Sequence, residues 1–477
     1  MLNRREFVAL LSVAPGALAR RHTGAQWVND VHSQLNSTRV SRIETPHSID
    51  ELQKIIRKGD RKAIAIAGGR HAMGGQQFAS DSTLIDITGM NHVLAFDRAN
   101  GIIEVESGVQ WPDLVSDLRS TPWAIRQKQT GADRLTLGGS LAANAHGRGL
   151  RFKPIVGDVE SFVLIDAAGH GIECSRTKNR ELFSLAIGGY GLFGVIASVR
   201  LRLARRQKVQ RVVEVQQIDR IKDAFDQRIN DGFLYGDFQF GIDPKSAKFL
   251  HDGVFSCYRP VSDNTPMPAQ AELHEDDWRK LLLLAHADKS QVYDRYVGYY
   301  LGSTGQVYWS DEHQLSIYPN DYHLAVDATL HTGPATEMIT EIYVPRERLA
   351  DFMAEAREDF RRNDVNVIYG TVRLIEREDE TFLSWAKQPY ACVIFNLHVE
   401  HKPAAMERSA DAFRRLIDMA ISRSGSYYLT YHRFARREQV EECYPQFAEF
   451  LRQKKRFDPH ERFQSEWYRH YRKMFAA

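Results

Sequence analysis

The chain has 477 residues, with 63 Lys and Arg against 61 Asp and Glu, so its formal net charge at pH 7 is +2. This length is typical of two or three domains, each large enough to bury a core. The near-neutral charge gives no reason to expect a nucleic-acid partner, and the four scattered Cys residues argue against a disulfide framework. No run approaches the roughly 18 apolar residues that span a bilayer, so we expect a soluble multidomain enzyme.

Residues 1–21 have the order of a secretory signal. A basic pair, Arg4 and Arg5, precedes an apolar stretch over residues 8–19 that ends in Ala-Leu-Ala. Paired arginines are typical of a twin-arginine leader, which directs export. The sequence therefore predicts a twin-arginine signal peptide over residues 1–21 and a periplasmic or secreted mature protein. The alternative is an amphipathic N-terminus on a cytoplasmic protein.

The first half of the chain alternates helices with closely spaced strands. Ser48 can cap a helix whose first turn carries Asp50 and Glu51. A second helix is expected at Pro112, because proline suits a first turn. The predicted strands are residues 63–67, 84–87, 102–106, 161–167 and 195–203. Strands in such close succession indicate an α+β domain rather than a doubly wound sheet.

A domain boundary is expected near residues 205–207. Beyond it, amphipathic helices from residue 345 and over residues 406–421 alternate with strands. The predicted strands are residues 209–215, 233–240, 338–344, 365–375, 391–399 and 427–434. Residues 263–321 are rich in Tyr and His and show little periodicity. We interpret them as either a long functional loop or an insertion packed at the edge.

Residues 189–194, GYGLFG, match the GxGxxG fingerprint of dinucleotide-binding proteins. That fingerprint requires a preceding strand and a following helix, so that phosphate meets the helix N-terminus. Here the order is reversed, because residues 181–186 favour helix and the β-branched residues 195–199 favour strand. The sequence therefore argues against a Rossmann domain, and these glycines are expected to permit close backbone approach.

Three glycine clusters lie within one predicted domain. The first, AGGRHAMGGQ over residues 67–76, follows a short strand. Its consecutive N–H groups, free of Cβ atoms, would form an anion cradle to which Arg70 adds charge. The second is LGG at residues 137–139, leading to NAHGRG at 144–149, and the third is residues 188–194. An ordinary loop explains any one cluster, but together they favour one long ligand threaded through the domain.

This ordered set of motifs resembles the FAD domain of the vanillyl-alcohol oxidase and p-cresol methylhydroxylase (PCMH) superfamily. The motifs are GGRHAMGGQ, LGGSLAANAHGRG, Asp158-Val159 before an alternating strand, and LFSLAIGGYGLFGVIASVRLRL. Within that superfamily the chain is most similar to the aldonolactone and alditol oxidases and to cytokinin dehydrogenases. TEIYVP at 340–345 and residues 373–376 resemble the cap domain. FDP at 457–459 and FQS at 463–465 resemble the returning C-terminal segment.

The resemblance implies an α+β fold in two parts. It predicts a PCMH-type FAD-binding domain of two α+β subdomains over residues 38–205. It also predicts a substrate or cap domain over residues 206–435, with an antiparallel sheet flanked by helices. Residues 436–477 would return to the FAD-binding domain.

The resemblance also implies FAD and its contacts. His71 stands where the family often has a covalent bond to the 8α-methyl carbon of the flavin, a role that suits a neutral imidazole. The alternative is a loop histidine that binds a phosphate of non-covalent FAD. Ala72 replaces a frequent Ser or Thr, and residues 147–157 hold no Cys for a second covalent link. His146 has an alternative role as a buried residue that holds the chain turn. The implied FAD-binding residues are Ala67, Gly68, Gly69, Arg70, His71, Ala72, Met73, Gly138, Gly139, Ser140, His146, Gly147, Gly191, Phe193, Gly194, Val195 and Ile196.

The implied catalytic residues lie on predicted cap strands. Hydride transfer to a flavin needs a held donor carbon, a base for the hydroxyl proton and groups that stabilise charge. Strand alternation puts Thr371 and Arg373 on one face, and sugar-oxidising relatives have a Glu at the place of Thr371. The carboxylate that would orient a polyol is therefore absent at that position. The catalytic candidates are Arg373, Asn396, His398, His432 and Arg433.

Two of these candidates have alternative roles. Arg373 would serve equally in a surface salt bridge to Glu376 or Glu341. His398 lies near Glu400 and His401, but no compact four-ligand spacing supports a metal site, so we expect no metal.

The sequence thus predicts an FAD-dependent oxidoreductase that oxidises a CH–OH group of a small polar substrate. Dioxygen or another electron acceptor would reoxidise the flavin. Two alternatives stay open: a dehydrogenase or reductase of the same superfamily that does not use oxygen, and a non-catalytic exported flavin-binding protein. The near-neutral charge weighs against a polyanionic substrate unless arginines cluster locally.

Overall fold

The computed structural model describes residues 25–58, 62–268, 273–316 and 322–476. The predicted signal peptide lies outside these ranges. Within them, helices and strands are mixed in the manner of an α+β protein. None of the helices in these ranges combines the length and the apolar composition needed to cross a bilayer.

The elements up to residue 205 form small sheets. Strands β3, β5 and β4 form a parallel sheet, and a five-stranded antiparallel sheet has the order β10-β9-β11-β7-β6. The elements are β1 Gln26–Val28, β2 Thr38–Val40, β3 Arg42–Glu44, α1 Ile49–Lys58, β4 Ile64–Ala67, β5 Thr83–Asp86, β6 Val93–Asp97, β7 Ile102–Glu106, α2 Trp111–Leu118, β8 Trp123–Ala124, α3 Leu137–Ala142, β9 Val159–Ile165, β10 Gly171–Ser175, α4 Arg180–Ala186, β11 Val195–Arg202 and β12 Ala204–Arg205.

Helix α1 shows why the capping residue and the apolar periodicity predict the secondary structure correctly in this region. The Ser48 hydroxyl accepts a hydrogen bond from the Glu51 N–H at 3.2 Å, which satisfies one of the unpaired amides of the first turn. Leu52 and Ile56 are buried one turn apart and pack in a core cluster with residues of β4 and β5. The predicted helix and the strands around it are confirmed, with shifts of one or two residues.

The elements from residue 208 build one large sheet. Its eight antiparallel strands have the order β16-β13-β15-β14-β18-β19-β17-β20. The elements are β13 Lys208–Gln217, α5 Ile218–Asn230, β14 Tyr235–Phe240, β15 Asp252–Val261, α6 Glu275–Ala287, α7 Lys289–Gly302, β16 Val307–Trp309, α8 Tyr322–Leu330, β17 Ala335–Pro345, α9 Leu349–Arg362, β18 Val367–Ile375, β19 Tyr390–Glu400, α10 Pro403–Ile421 and β20 Ser426–Tyr427.

Two regions need comment. In residues 263–321 the described parts hold helices α6 and α7 followed by β16, the edge strand of the large sheet, so the alternative of an insertion packed at the edge is confirmed rather than the long loop. Their apolar residues are scattered because the helices have only one buried residue, Ala285, between them. The predicted strand over 427–434 is only two residues long, since the chain leaves the sheet after Tyr427.

The C-terminal residues return to the first sheet. Three helices are present: α11 Arg437–Cys443, α12 Phe447–Phe457 and α13 Glu466–Ala476. Phe463 forms a parallel bridge with Ile64 of β4, and the Gln464 N–H donates to the Ile64 carbonyl at 2.8 Å. The segment therefore closes against the strand that leads into the first glycine cluster.

Candidate functional site

A cavity of about 960 Å³ lies between the glycine-rich segments and the large sheet. Ligand pockets are usually about 300–1,000 Å³, so this cavity can take a large ligand. We call residues 68–73, 138–139 and 191–196 the glycine wall, since most of these residues line one side. We call Arg148, Asp237, Arg373 and Asn396 the polar wall, which lines the other side.

The glycine wall begins where β4 ends at Ala67. A Cβ on Gly68 would lie 2.1 Å from Thr136 Oγ1, so only glycine allows the two loops to approach this closely. Arg70 has a φ of 58°, which turns the chain sharply. Among the described residues, the N–H groups of Arg70 to Met73 donate no hydrogen bond to the protein. This is the arrangement of an anion cradle.

Most of the predicted FAD-binding residues line the cavity. Those that do are Gly68, Gly69, Arg70, His71, Ala72, Met73, Gly138, Gly139, Gly191, Phe193, Gly194, Val195 and Ile196. The guanidinium of Arg70 is already paired, because its Nη2 lies 3.1 Å from Asp86 Oδ2. The added positive charge that the sequence assigned to the cradle is therefore largely neutralised by Asp86.

Four predicted FAD-binding residues lie behind the wall. Ala67 is a buried strand residue, and Ser140 exchanges hydrogen bonds with Trp111 and the Thr136 carbonyl. A Cβ on Gly147 would lie 2.6 Å from the Lys128 carbonyl oxygen, which shows close packing against the protein itself. His146 is fully buried with its Nε2 2.6 Å from Glu341 Oε1. These four positions shape the wall from behind, because neighbouring protein atoms occupy their contacts.

His146 belongs to a buried network, as its alternative role predicted. Glu341 also accepts a hydrogen bond from the Tyr343 hydroxyl at 2.6 Å, and Cys392 Sγ lies 3.8 Å from His146 Nε2. Burial alone would raise the pKa of Glu341, but the contacts with His146, Tyr343 and Cys392 hold it below its usual value. The network joins the turn after α3 to strands β17 and β19.

His71 on the glycine wall is paired with a second histidine. Its Nδ1 lies 2.8 Å from His32 Nε2, so one nitrogen donates the hydrogen bond and the other accepts it. Burial above all, together with the neighbouring His32, lowers the pKa of His71 to about 3. Its imidazole is therefore neutral at pH 7. His32 lies in a loop before β2, far from the motif in sequence, and sequence reasoning missed it.

The polar wall centres on Arg373 of β18. Its side chain is 5% exposed, and its Nε and Nη1 atoms have no hydrogen-bond partner in the described chain. The alternative salt bridges do not form, because Glu376 pairs with Arg346 at 2.9 Å and Glu341 pairs with His146. Arg373 therefore presents free donors to the cavity.

Asp237 of β14 faces Arg373. Phe238 is registered with Val372 in this antiparallel pair, so the next residues outward, Asp237 and Arg373, lie opposite each other. Asp237 is 1% exposed, and its Oδ1 atom is without a hydrogen-bond partner among the described residues. Among the described residues, Asp237 and Arg373 form no ion pair, since no nitrogen of the guanidinium lies within 4 Å of an oxygen of the carboxylate. The strand YGDFQF carried the signal that sequence reasoning missed, since a lone Asp in a buried strand is rare.

Two more polar groups complete this wall. Within the part of the chain that the structure describes, Arg148, from the NAHGRG motif, has no partner for its Nε atom, and Asn396 of β19 has none for its Oδ1 atom. Burial alone would lower the pKa of Arg148, but the charge of Asp237 raises it above its ordinary value. The wall thus offers donors and acceptors at fixed positions, the pattern that recognises hydroxyl and carbonyl oxygens.

Three predicted catalytic residues lie elsewhere. His432 is stacked on Phe413 with ring centroids 4.4 Å apart and bonds to Thr340, and burial lowers its pKa to about 3. The closest polar contact of Arg433 is Asn36 at 3.5 Å, outside the cavity. Strand alternation failed for both because the predicted strand ends at Tyr427, and Tyr431 lines the cavity instead. His398 lies beside His286 and Glu337, past the end of the polar wall.

Comparison with known proteins agrees with this geometry. Residues 40–175 match the family described as "FAD binding domain". The chain is 27% identical over 199 residues to the mitochondrial L-galactono-1,4-lactone dehydrogenase of Arabidopsis thaliana, covering 40% of this chain and 32% of that protein. It is 25% identical to the L-gulonolactone oxidase of Bos taurus, covering 39% of this chain and 42% of that protein.

A third match is longer. The chain is 23% identical over 442 residues to the L-gulono-1,4-lactone dehydrogenase of Mycobacterium tuberculosis, covering 90% of this chain and 95% of that protein. The matches to the Arabidopsis and Bos proteins, in contrast, span about a third to two fifths of those relatives. Together with the cradle, these matches show that residues 40–175 form an FAD-binding domain and that the cofactor of the protein is FAD.

Proposed function

We propose that this protein is an FAD-dependent oxidoreductase that oxidises a CH–OH group of a small sugar-, polyol- or lactone-like substrate. The observation that carries the proposal is the facing pair of Asp237 and Arg373, buried across one cavity from a cradle of free backbone amides. The lactone dehydrogenases and oxidase among the relatives support the same substrate class.

The cofactor fits the glycine wall. The free N–H groups of residues 70–73 suit a diphosphate, because backbone amides bind anions without added charge. Gly138, Gly139 and the 191–196 segment leave room along the cavity for the rest of a long, flat ligand. We assign residues 38–205 to a PCMH-type domain of two α+β subdomains, one around the parallel sheet and one around the five-stranded sheet.

The polar wall supplies what the reaction needs from the protein. Bound FAD supplies a hydride acceptor at N5 of its ring. Asp237 accepts the proton of the substrate hydroxyl, since its Oδ1 is buried and has no hydrogen-bond partner among the described residues. Arg373 and Asn396 hold the neighbouring substrate oxygens and fix the orientation of the donor carbon.

Asp237 also supplies a carboxylate near the position where Thr371 has none. The Thr371 hydroxyl donates to the Phe238 carbonyl at 3.1 Å and lies within the sheet, away from the cavity. Asp237 is on the adjacent strand, directly opposite Arg373. A carboxylate and a guanidinium therefore still face the same substrate position without contacting each other, with the acid supplied by β14 rather than β18.

We further propose that FAD is attached covalently through His71. The neutral imidazole is nucleophilic, and the 2.8 Å contact with His32 fixes the orientation of the ring. Acid precipitation of the purified protein tests this: the yellow colour should stay in the pellet for the wild type and move to the supernatant for His71→Ala. Colour in the wild-type supernatant would leave only the non-covalent alternative.

Dioxygen or another electron acceptor would complete the cycle, and the leader over residues 1–21 would place the protein in the periplasm or outside the cell. Stopped-flow mixing of the reduced enzyme with dioxygen distinguishes an oxidase from a dehydrogenase. Reoxidation no faster than that of free flavin would identify a dehydrogenase. Fractionation of cells that express the full chain, with Arg4 and Arg5 changed to Lys as the matched control, tests the export.

The central experiment is anaerobic mixing of the FAD-loaded protein with L-gulono-1,4-lactone, L-galactono-1,4-lactone and a panel of alditols. We expect bleaching of the flavin absorbance with at least one of them. Asp237→Asn should retain its flavin and lose the bleaching. Protein without any bound flavin would overturn the proposal, and bound flavin that stays oxidised with every candidate would favour the non-catalytic alternative.

A further inference from the structure

Four ionisable side chains meet at one end of the cavity, beyond Asn396. They are His286 of α6, His323 of α8, Glu337 of β17 and His398 of β19. We call them the histidine–glutamate cluster. Glu337 also lines the cavity, so the cluster is continuous with the site already described.

The sheet fixes two members of the cluster. Glu337 and His398 are registered directly opposite each other on β17 and β19. Side chains at such a pair leave the same face of the sheet, with Cβ atoms about 4.5–5.5 Å apart. Helix α6 brings His286 over that face, and α8 brings His323 from the other side of the glutamate. Four separate elements therefore converge on one carboxylate.

The potential ligand atoms are close and poorly satisfied. One ligand atom from each of His286, Glu337 and His398 lies within 4.8 Å of the other two. His286 Nε2 is 2.9 Å from Glu337 Oε1 and His323 Nε2 is 3.3 Å from Glu337 Oε2. Yet His286 Nε2, His323 Nε2, His398 Nδ1 and Glu337 Oε1 make no hydrogen bond of acceptable geometry with the described residues. Glu337 is 4% exposed, so water is a poor substitute partner.

A second group of this kind provides the contrast. His146, Glu341 and Cys392 are equally close together, but Glu341 holds hydrogen bonds from both His146 and Tyr343. In that group the facing atoms, His146 Nε2 and Glu341 Oε1, are already hydrogen-bonded within the protein, and only the outer Glu341 Oε2 lacks a partner among the described residues. In the histidine–glutamate cluster the facing atoms lack partners in the described part of the chain, whereas the second oxygen of Glu337 accepts a hydrogen bond from the Tyr322 hydroxyl. A hydrogen bond to the outer oxygen is what orients a metal-binding carboxylate.

We propose that the histidine–glutamate cluster binds one divalent transition-metal ion, Zn²⁺ before others. Imidazole nitrogen and carboxylate oxygen are typical zinc ligands. A tetrahedral site with bonds of about 2.0–2.1 Å needs ligand atoms roughly 3.4 Å apart. His286 Nε2 and Glu337 Oε1 are 2.9 Å apart, and all three ligand atoms lie within 4.8 Å of one another, so small side-chain movements reach that geometry. His286, Glu337 and His398 are the ligands, a water molecule would take the fourth position, and His323 lies beside the second oxygen of Glu337.

The site would act as a clasp. Helices α6 and α8 pack against each other and against β18 and β17 at the cavity end of the large sheet. A metal ion bound by α6 and by strands β17 and β19 would hold these covering helices against the sheet. The ion adds a cross-link that is absent from the unfolded chain.

Metal content and affinity test the proposal directly. The untagged, FAD-loaded protein is stripped with a chelator, dialysed and titrated with Zn²⁺ in competition with a chromophoric chelator. We expect one high-affinity site per chain, and an increase in Tm of about 5 °C at a hundredfold excess over Kd. Replacement by Co²⁺ should give the intense visible absorption of a four-coordinate site. Fewer than 0.5 equivalents bound, with no change in Tm, would overturn the proposal.

Variants identify the ligands. His286→Gln and Glu337→Gln should each weaken Zn²⁺ binding by at least about 100-fold, and His323→Gln by about 10- to 100-fold. His401→Gln is the matched control, because His401 bonds Thr336 near the same strand end and is not in the cluster. Its affinity should equal that of the wild type. Equal affinity in His286→Gln would place the metal elsewhere and refute the cluster. If a variant fails to fold, the Co²⁺ spectrum of the wild type still decides the matter.

Discussion

The two walls of the cavity present different chemical groups to a ligand. The glycine wall presents backbone amides, and its side chains are absent, apolar or already paired, as Arg70 is with Asp86. The polar wall presents side-chain atoms with unsatisfied hydrogen bonds, on Arg148, Asp237, Arg373 and Asn396. Backbone amides suit a cofactor, because the same ligand stays bound from one catalytic cycle to the next. A side-chain wall can be changed one residue at a time, so it is the wall that sets the substrate.

This difference predicts where substitutions will act. Changes on the polar wall should alter the chemistry and leave FAD in place, whereas changes on the glycine wall should act on folding and FAD retention. The following predictions run from the largest expected effect to the smallest.

The first prediction concerns the base on the polar wall. Asp237→Asn should lower the rate of flavin reduction about 10²- to 10⁴-fold, because the amide cannot accept the hydroxyl proton. The flavin content should match that of the wild type. Anaerobic stopped-flow at the flavin absorbance maximum measures both. Asp231→Asn, beyond the exposed end of α5, is the control. A reduction rate within threefold of the wild type would show that Asp237 is not the base.

The second prediction concerns the cation on the same wall. Arg373→Lys keeps the charge but loses the planar pair of donors, so kcat/KM should fall about 10- to 100-fold, mainly through KM. Steady-state kinetics with the best substrate from the panel measures it. Arg408→Lys, on α10, should leave both constants unchanged. A fall confined to kcat would instead assign Arg373 to the transition state alone.

The third prediction moves to the glycine wall. Gly68→Ala places a Cβ 2.1 Å from Thr136 Oγ1, so the unfolding free energy should fall by about 1–3 kcal/mol and FAD should be lost more readily. Differential scanning fluorimetry and the flavin-to-protein absorbance ratio measure the two effects. Unchanged FAD retention with a lowered Tm would mean that the close approach serves folding alone.

Gly298 provides the matched glycine. It lies inside α7 with open space around its Cβ position and no strained φ. Gly298→Ala should therefore stabilise the protein by up to about 1 kcal/mol, because alanine is the better helix former. The opposite signs at Gly68 and Gly298 would separate glycines that the wall requires from glycines that it does not.

The last prediction concerns a histidine outside both walls. Burial lowers the pKa of His432 to about 3, whereas the unfolded chain binds that proton near pH 6.5. Its contribution to stability is therefore complete above pH 6.5 and is lost as the pH falls from 6.5 toward 3, by about 1.4 kcal/mol per pH unit. His432→Leu should flatten the dependence of Tm on pH between 5 and 6.5. His170→Leu, at a side chain that is 70% exposed, is the control, and equal slopes in all three proteins would contradict the assignment.

Prediction from sequence worked best where one motif is contiguous. Gly68 to Met73 come directly after a strand, so neighbours in the chain are neighbours in the cradle. For His146 the sequence left two roles open, because nothing in its own segment shows that its partner Glu341 lies on a strand far along the chain. Prediction failed for His432 and Arg433 because the strand on which they were placed ends after Tyr427, and alternation has no meaning in the irregular chain that follows.

The sequence by itself determined the FAD-binding domain, the positions of the glycine clusters, the amphipathic helices α9 and α10, and Arg373 as a cavity residue. Only the tertiary structure decided what faces Arg373, which histidines lie in the interior and what the 263–321 segment does. The physical reason is separation along the chain. Propensity and periodicity act over a few residues, whereas Asp237 reaches Arg373, and His286 reaches Glu337 and His398, only through strand register and helix packing.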